Sequence, residues 1–266
     1  MSRIDQTFAR LRAARQTGLV AYVTAGDPDR ERSGEILQAL DRAGADVLEV
    51  GVPFSDPLAD GPVIQRASER ALAAGATLSW TLDLIAQHRR SLTAPVVVFT
   101  YANPVFRIGL DVFAARAAKA GVDGVLVLDL PLEEAEDLRE TMTAAGIDPI
   151  FLLSPTTSDE RIARAASLGR GFLYGISRLG VTGERDEVAA GAKELVARIR
   201  AVTTLPVAVG FGISRPEHIR EVGQWADAAV VGSGLVNVIA GAAESPDLMA
   251  RVAGYVRWLK GKEDRD

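Results

Sequence analysis

Short runs of Val, Ile, Leu and Ala alternate along the chain with longer segments whose apolar residues recur every three or four positions. The short runs predict strands near 19–24, 46–51, 95–100, 122–128, 147–152, 171–175, 205–210 and 227–231. Helical spacing follows each of them, as in Arg30 to Ala43, Asp111 to Ala120 and Glu133 to Ala145. Gly44, Gly121 and Gly146 stand where these helices should end and turn into the next strand. The strands are apolar on both faces, as parallel strands covered by helices must be. Eight such units predict a closed (β/α)8 TIM barrel, with an open doubly wound sheet as the alternative. No linker or low-complexity tract divides residues 1–266, so a single barrel domain is expected.

Two departures from the rhythm are informative. A helix with Ile4, Phe8 and Leu11 on one face precedes the first strand. Extra helical segments follow strand 2 (Val63 to Ala74) and strand 8 (Leu235 to Ile239), and the connection after strand 6 is long. Chemistry in this fold sits where strands run into helices, so these connections are the places to look. The charged tail from Lys260 to Asp266 reads as frayed.

Composition narrows the chemistry. With 30 Lys and Arg against 35 Asp and Glu, the formal charge of −5 gives no footprint for nucleic acid. There is no cysteine, which excludes disulfides and thiolate catalysis. Signal-peptide and membrane-span patterns are not found, so a cytoplasmic location is the expectation. The lysines at 119, 193, 260 and 262 fall on predicted helices or the tail, leaving no strand-end amine for a Schiff base. His88 and His218 read as surface helix positions, and no metal site is expected.

Carboxylates remain. Glu49 lies inside Asp46-Val-Leu-Glu-Val-Gly51, a run that should be buried on both faces. An unpaired carboxylate there should have a raised pKa and serve as a proton donor and acceptor near neutrality, unless an arginine on a covering helix pairs with it. Asp60 reads equally as a second catalytic acid or as the cap of the helix beginning near Pro62. Asp56 fits an ordinary turn, Asp129 a cap, and Asp27 a helix-start signal. Gly210-Phe-Gly-Ile-Ser214 and Gly232-Ser-Gly234 fall after strands 7 and 8, where barrels of this class cradle phosphate with main-chain amides. The segment from Leu235 to Ile239 would aim a helix N-terminus at the anion. The glycine-containing connection Ser177 to Asp186 has the character of a lid. Tyr22, Phe54, Tyr101, Tyr174 and Phe211 fall near strand ends, where they would suit a flat aromatic substrate or simply fill core.

Six segments together resemble the tryptophan synthase alpha subunit family: Ala21 to Pro28, Leu48 to Pro62, Thr100 to Pro104, Ser177 to Gly183, Gly210 to Ser214, and Gly232-Ser233. The resemblance implies a lyase that cleaves indole-3-glycerol phosphate by a retro-aldol step in L-tryptophan biosynthesis. It implies Glu49 as acid–base residue and Asp60 as acceptor of the indole N–H. Gly183, Gly212, Gly232 and Ser233 match the phosphate contacts, and Tyr22, Tyr174, Thr182 and Phe211 match substrate-pocket and loop positions. Tyr22 and Thr100 stand where some members carry phenylalanine and leucine. The resemblance further implies docking on a beta subunit in an alpha2beta2 heterotetramer, through the loop from Pro53 to Asp60 and the segment from Tyr101 to Pro104. Pyridoxal phosphate would belong to that partner, with no cofactor in this chain. A stand-alone indole-3-glycerol phosphate lyase is the alternative.

Overall fold

A computed structural model describes residues 1–176, 190–210 and 212–262. The strands are β1 (Gly18–Thr24), β2 (Val47–Gly51), β3 (Val96–Thr100), β4 (Gly124–Val127), β5 (Asp148–Leu153), β6 (Leu173–Ile176), β7 (Val207–Gly210) and β8 (Ala228–Val231). They pair in parallel in chain order, and β8 closes on β1. The helices are α1 (Arg3–Ala14), α2 (Ser33–Ala43), α3 (Pro62–Ala73), α4 (Leu78–His88), α5 (Ala102–Ile108), α6 (Leu110–Ala120), α7 (Glu136–Ala144), α8 (Asp159–Leu168), α9 (Ala190–Arg200), α10 (Pro216–Val222), α11 (Ser233–Gly241) and α12 (Leu248–Leu259). The closed barrel is the architecture that the alternation predicts, and the extra helices after strands 2 and 8 are α3 and α11. Predicted strand ends shift by one to two residues. Helix α5, between β3 and its covering helix α6, is an addition that the periodicity did not single out.

Strand alternation sorts the core into two shells. Inside the barrel lie Val20, Val47, Val97, Leu126, Ile150, Tyr174, Ala208 and Val230. Residues of opposite parity, such as Leu19, Leu48 and Val98, face the helices in a separate and larger cluster. Ile4, Phe8 and Leu11 of α1 belong to the inner shell, so α1 stoppers the N-terminal end of the barrel. The Phe8 and Phe172 rings meet there at 5.6 Å. Ser2 and Asp5 form a reciprocal capping box that fixes where α1 begins.

The same end corrects the frayed-tail expectation at its first residue. Lys260 Nζ donates to Gly44 O at 2.8 Å and to Asp46 Oδ2 at 2.6 Å. Asp46 also accepts from the Leu19 amide and from Arg10. A buried carboxylate needs several donors to offset its desolvation, and the chain end supplies one of them. With α1 packed over that floor, the cavity inside the barrel lies at the C-terminal ends of the strands.

Candidate active site

The open end holds a cavity of about 260 Å³. Its walls follow the alternation: Tyr22, Glu49, Phe99, Leu128, Leu152, Tyr174, Val230 and Gly232 each lie two residues beyond an inner-shell position or within that shell. Tyr22 and Glu49 are register partners on adjacent strands. Glu49 points inward because Val47 does, since side chains two apart on a strand share a face. It is 1 % exposed. Among the described residues its Oε1 finds no hydrogen-bond partner and no arginine pairs with it. Burial first, and the charge of Asp60 second, push its carboxyl up to about 8. The group therefore holds a proton at neutral pH and can release it within the physiological range.

Asp60 reaches the same cavity from the connection between β2 and α3. It does not cap α3: Gly61 occupies that position without a side-chain bond, and Pro62 supplies the preset first turn. Asp60 Oδ2 instead accepts from the Tyr101 hydroxyl at 3.0 Å, and that hydroxyl accepts from the Ala59 amide at 3.3 Å. Burial raises the Asp60 carboxyl to about 6, and the Tyr101 hydrogen bond opposes the rise. Two carboxyls in one cavity are thus held apart, with the outer one ionised when the inner one is protonated.

The predicted aromatic residues divide. Tyr22 and Tyr174 line the cavity, and burial raises both phenols well above their ordinary value, with the nearby carboxylates adding to it. Phe54 and Tyr101 stack on one another at 4.9 Å, and Tyr101 supports Asp60 from behind. Phe99, which the sequence reading passed over, meets the Tyr22 ring edge-on at 5.5 Å. The alternation Val97–Phe99 would have found it. Thr100 points the other way, fully buried, with its hydroxyl donating to the Tyr101 carbonyl at 3.3 Å. Gly51 leaves room for Tyr22: a Cβ there would stand 2.3 Å from its hydroxyl oxygen.

Across the mouth, Gly212, Ser214, Gly232, Ser233 and Gly234 form the far wall. Gly212 has φ of +75°, a conformation that side chains with a Cβ resist. Gly232 precedes α11 without a side-chain cap, and the first-turn amides of a helix have no acceptor within it. Glycine turn and helix start thus face the cavity together, which suits an anion. Thr182, Gly183, Phe211 and the lid expected at 177–186 fall outside the described residues.

Other candidates resolve differently. Asp129 Oδ1 accepts the Ala102 amide at 2.6 Å, as a cap of α5. Asp56 sits exposed beside Ser55 in a turn. Asp27 is not a helix-start signal. It is buried and holds Arg70 of α3 through two bonds of 2.7 and 3.1 Å, because a buried carboxylate finds more in a guanidinium than in a helix end. The histidines are not surface residues either. His88 is half-buried against Gly34 and bonds Gln38 at 2.9 Å, and His218 is 5 % exposed, with Nδ1 accepting the Ser214 amide at 3.3 Å. Each sits on the inner face of its helix, where a neighbouring polar group satisfies the ring. Among the described residues no group of three or more His, Cys, Asp or Glu could hold a metal ion. No described helix is long and apolar enough to cross a membrane.

Comparison with known proteins agrees with this geometry. Residues 8–260 match the family model described as tryptophan synthase alpha chain. The tryptophan synthase alpha chain of Solibacter usitatus is 47 % identical over 98 % of this chain and 97 % of its own length. The crystal structure of tryptophan synthase subunit alpha from Legionella pneumophila superposes with a TM-score of 0.88 at 38 % identity, covering 98 % of both chains. A structure of Mycobacterium tuberculosis tryptophan synthase gives 0.91 at 36 % identity, again over 98 % of both. A family match over residues 8–260, near-complete coverage at this identity and a shared closed barrel place the chain in the tryptophan synthase alpha chain family.

Proposed function

We propose that this chain, as a single barrel domain, carries out the family's cleavage at the cavity that Glu49 and Asp60 share. Its activity is that of a carbon–carbon lyase subunit, which splits indole-3-glycerol phosphate into indole and glyceraldehyde 3-phosphate in L-tryptophan biosynthesis. Protonated Glu49 gives its proton to the indole carbon that bears the side chain. Ionised Asp60 accepts the indole N–H and stabilises the positive charge that this places on the ring. The Glu49 carboxylate then takes the proton of the adjacent side-chain hydroxyl. The carbon–carbon bond breaks, its electron pair returns to the ring, and the hydroxyl carbon leaves as the aldehyde. One proton leaves Glu49 and one returns.

Tyr22, Tyr174 and Phe99 would flank the indole, and Gly212, Gly232 and Ser233 would hold the phosphate, with Thr182, Gly183 and Phe211 completing both subsites. The observation that carries the reading is the Glu49 carboxyl: 1 % exposed, facing the cavity and raised to about 8. An indole-release assay on the purified chain tests it. Glu49→Gln should lose nearly all turnover while an indole alkyl phosphate still binds. Normal turnover at saturation in that variant would refute the assignment.

We assign the exposed side of the mouth to a beta-subunit partner in an alpha2beta2 assembly, with pyridoxal phosphate on the partner, none in this chain, and a cytoplasmic setting. Leu58, in the loop before Asp60, is 93 % exposed, and Phe106 of α5 is 54 % exposed. Large apolar side chains left in solvent beside a site mark a docking face. Leu58→Asp should weaken activation by a beta subunit while basal indole release persists.

A further inference from the structure

The far wall of the cavity is made by two separate turns, and something must fix the distance between them. One turn follows β7 and ends at Ser214; the other precedes α11 and runs from Gly232 to Gly234. Both line the cavity. Ser214 is gripped at both ends of its backbone. Its amide donates to Nδ1 of His218, one turn into α10, at 3.3 Å. Its carbonyl accepts from the hydroxyl of Tyr255, on α12, at 2.9 Å. His218 and Tyr255 are each 5 % exposed, so water does not readily replace either bond.

Tyr255 also touches the second turn. A Cβ on Gly234 would stand 2.4 Å from the Tyr255 hydroxyl oxygen and 3.4 Å from Ser214 Cβ. The hydroxyl therefore occupies the space that Gly234 leaves open, wedged between the two turns. The Tyr255 ring is itself braced, stacked on Trp258 at 5.7 Å. Nδ1 of His218 accepts, so the ring must be unprotonated at that nitrogen, and an asparagine Oδ1 would fall at nearly the same place.

We infer that His218 and Tyr255 are positioning residues that lock the two anion-cradling turns in register, and so set the affinity for the phosphorylated end of the substrate without touching it. This rests on the phosphate subsite of the function proposed above. Neither residue lines the cavity, so the chemistry at Glu49 does not depend on them. A main-chain cradle holds an anion only while several amides converge within hydrogen-bond distance, and a shift of either turn breaks the convergence.

The test uses the full chain with three substitutions, His218→Leu, His218→Asn and Tyr255→Phe. Glycerol 3-phosphate serves as probe of the anion subsite and indole as probe of the ring subsite. His218→Leu and Tyr255→Phe should each raise KM for indole-3-glycerol phosphate and weaken glycerol 3-phosphate inhibition by about tenfold. Their kcat should stay within about twofold and indole binding should not change. His218→Asn, which keeps an acceptor for the Ser214 amide, should restore most of the affinity. Wild-type inhibition by glycerol 3-phosphate that the variants leave untouched would overturn this inference alone. So would an equal loss of indole binding, which would mark a general structural role. A wild-type chain that ignores glycerol 3-phosphate would overturn the phosphate subsite itself and this inference with it.

Discussion

Replacing Glu49 by glutamine should make the protein more stable in alkaline solution while abolishing its activity. The folded chain holds the Glu49 carboxyl at about 8, against an ordinary 4.5 in the unfolded chain. Between those values the native state binds more proton than the unfolded state, so stability falls as pH rises. The contribution is fully present below pH 4.5 and lost as pH passes 8. Each pH unit in that interval removes about 1.4 kcal/mol, which accumulates to about 5 kcal/mol as an upper figure. Glutamine keeps the shape and carries no charge, so it escapes the loss. The assay is urea unfolding of both proteins at pH 5, 7 and 9. The two should nearly coincide at pH 5, and the variant should lead by several kcal/mol at pH 9. Every other titrating group is common to both, so the difference isolates Glu49 and its coupling to Asp60. A gap that stays constant with pH would show that the carboxyl is not held protonated by burial.

The same geometry sets four further outcomes. The pH profile of kcat/KM should be a bell with limbs near 6 and 8, falling in acid as Asp60 protonates and in alkali as Glu49 ionises, and Asp60→Asn should lower kcat by about a hundredfold and move the alkaline limb to lower pH, because its charge helps to raise Glu49. Tyr101→Phe should move the acid limb to higher pH, since the lost hydrogen bond had opposed the rise of Asp60; an unmoved limb in the same profile would count against that bond. Gly210→Ala should cost about 1–3 kcal/mol in urea unfolding, because its Cβ would stand 2.4 Å from the Tyr174 hydroxyl, and adding Tyr174→Phe should recover much of it, the nearest remaining ring atoms lying at 3.0 Å.

Much of this protein was legible in its sequence because the decisive signals are local. A period of two against a period near 3.6 is enough to produce eight strand–helix units, and strands apolar on both faces require covering helices. The same alternation carries Glu49: Val47 and Glu49 share a face, Leu48 takes the other, and the acid is buried before any coordinate is known. Gly44, Gly121 and Gly146 announce their turns by chemistry alone, and all three adopt positive φ. Phe99 was equally available by that rule and was missed only because its aromatic ring sits in an apolar run that draws no notice.

What the sequence left open are the cases in which a residue's partner lies far along the chain. Asp60 has the same neighbours whether it caps α3 or faces the cavity, and the choice falls to Tyr101, 41 positions away. Asp27 is diverted from a helix start by Arg70, 43 positions on, and Lys260 is drawn from the tail to Asp46 across 214. His218 changes from a surface position to a buried acceptor because α10 turns it toward Ser214. Local pattern specifies which face of an element is buried. Only closure of the barrel decides what each buried polar group meets there, because the desolvation of a charge is settled by whichever donor the fold brings within reach.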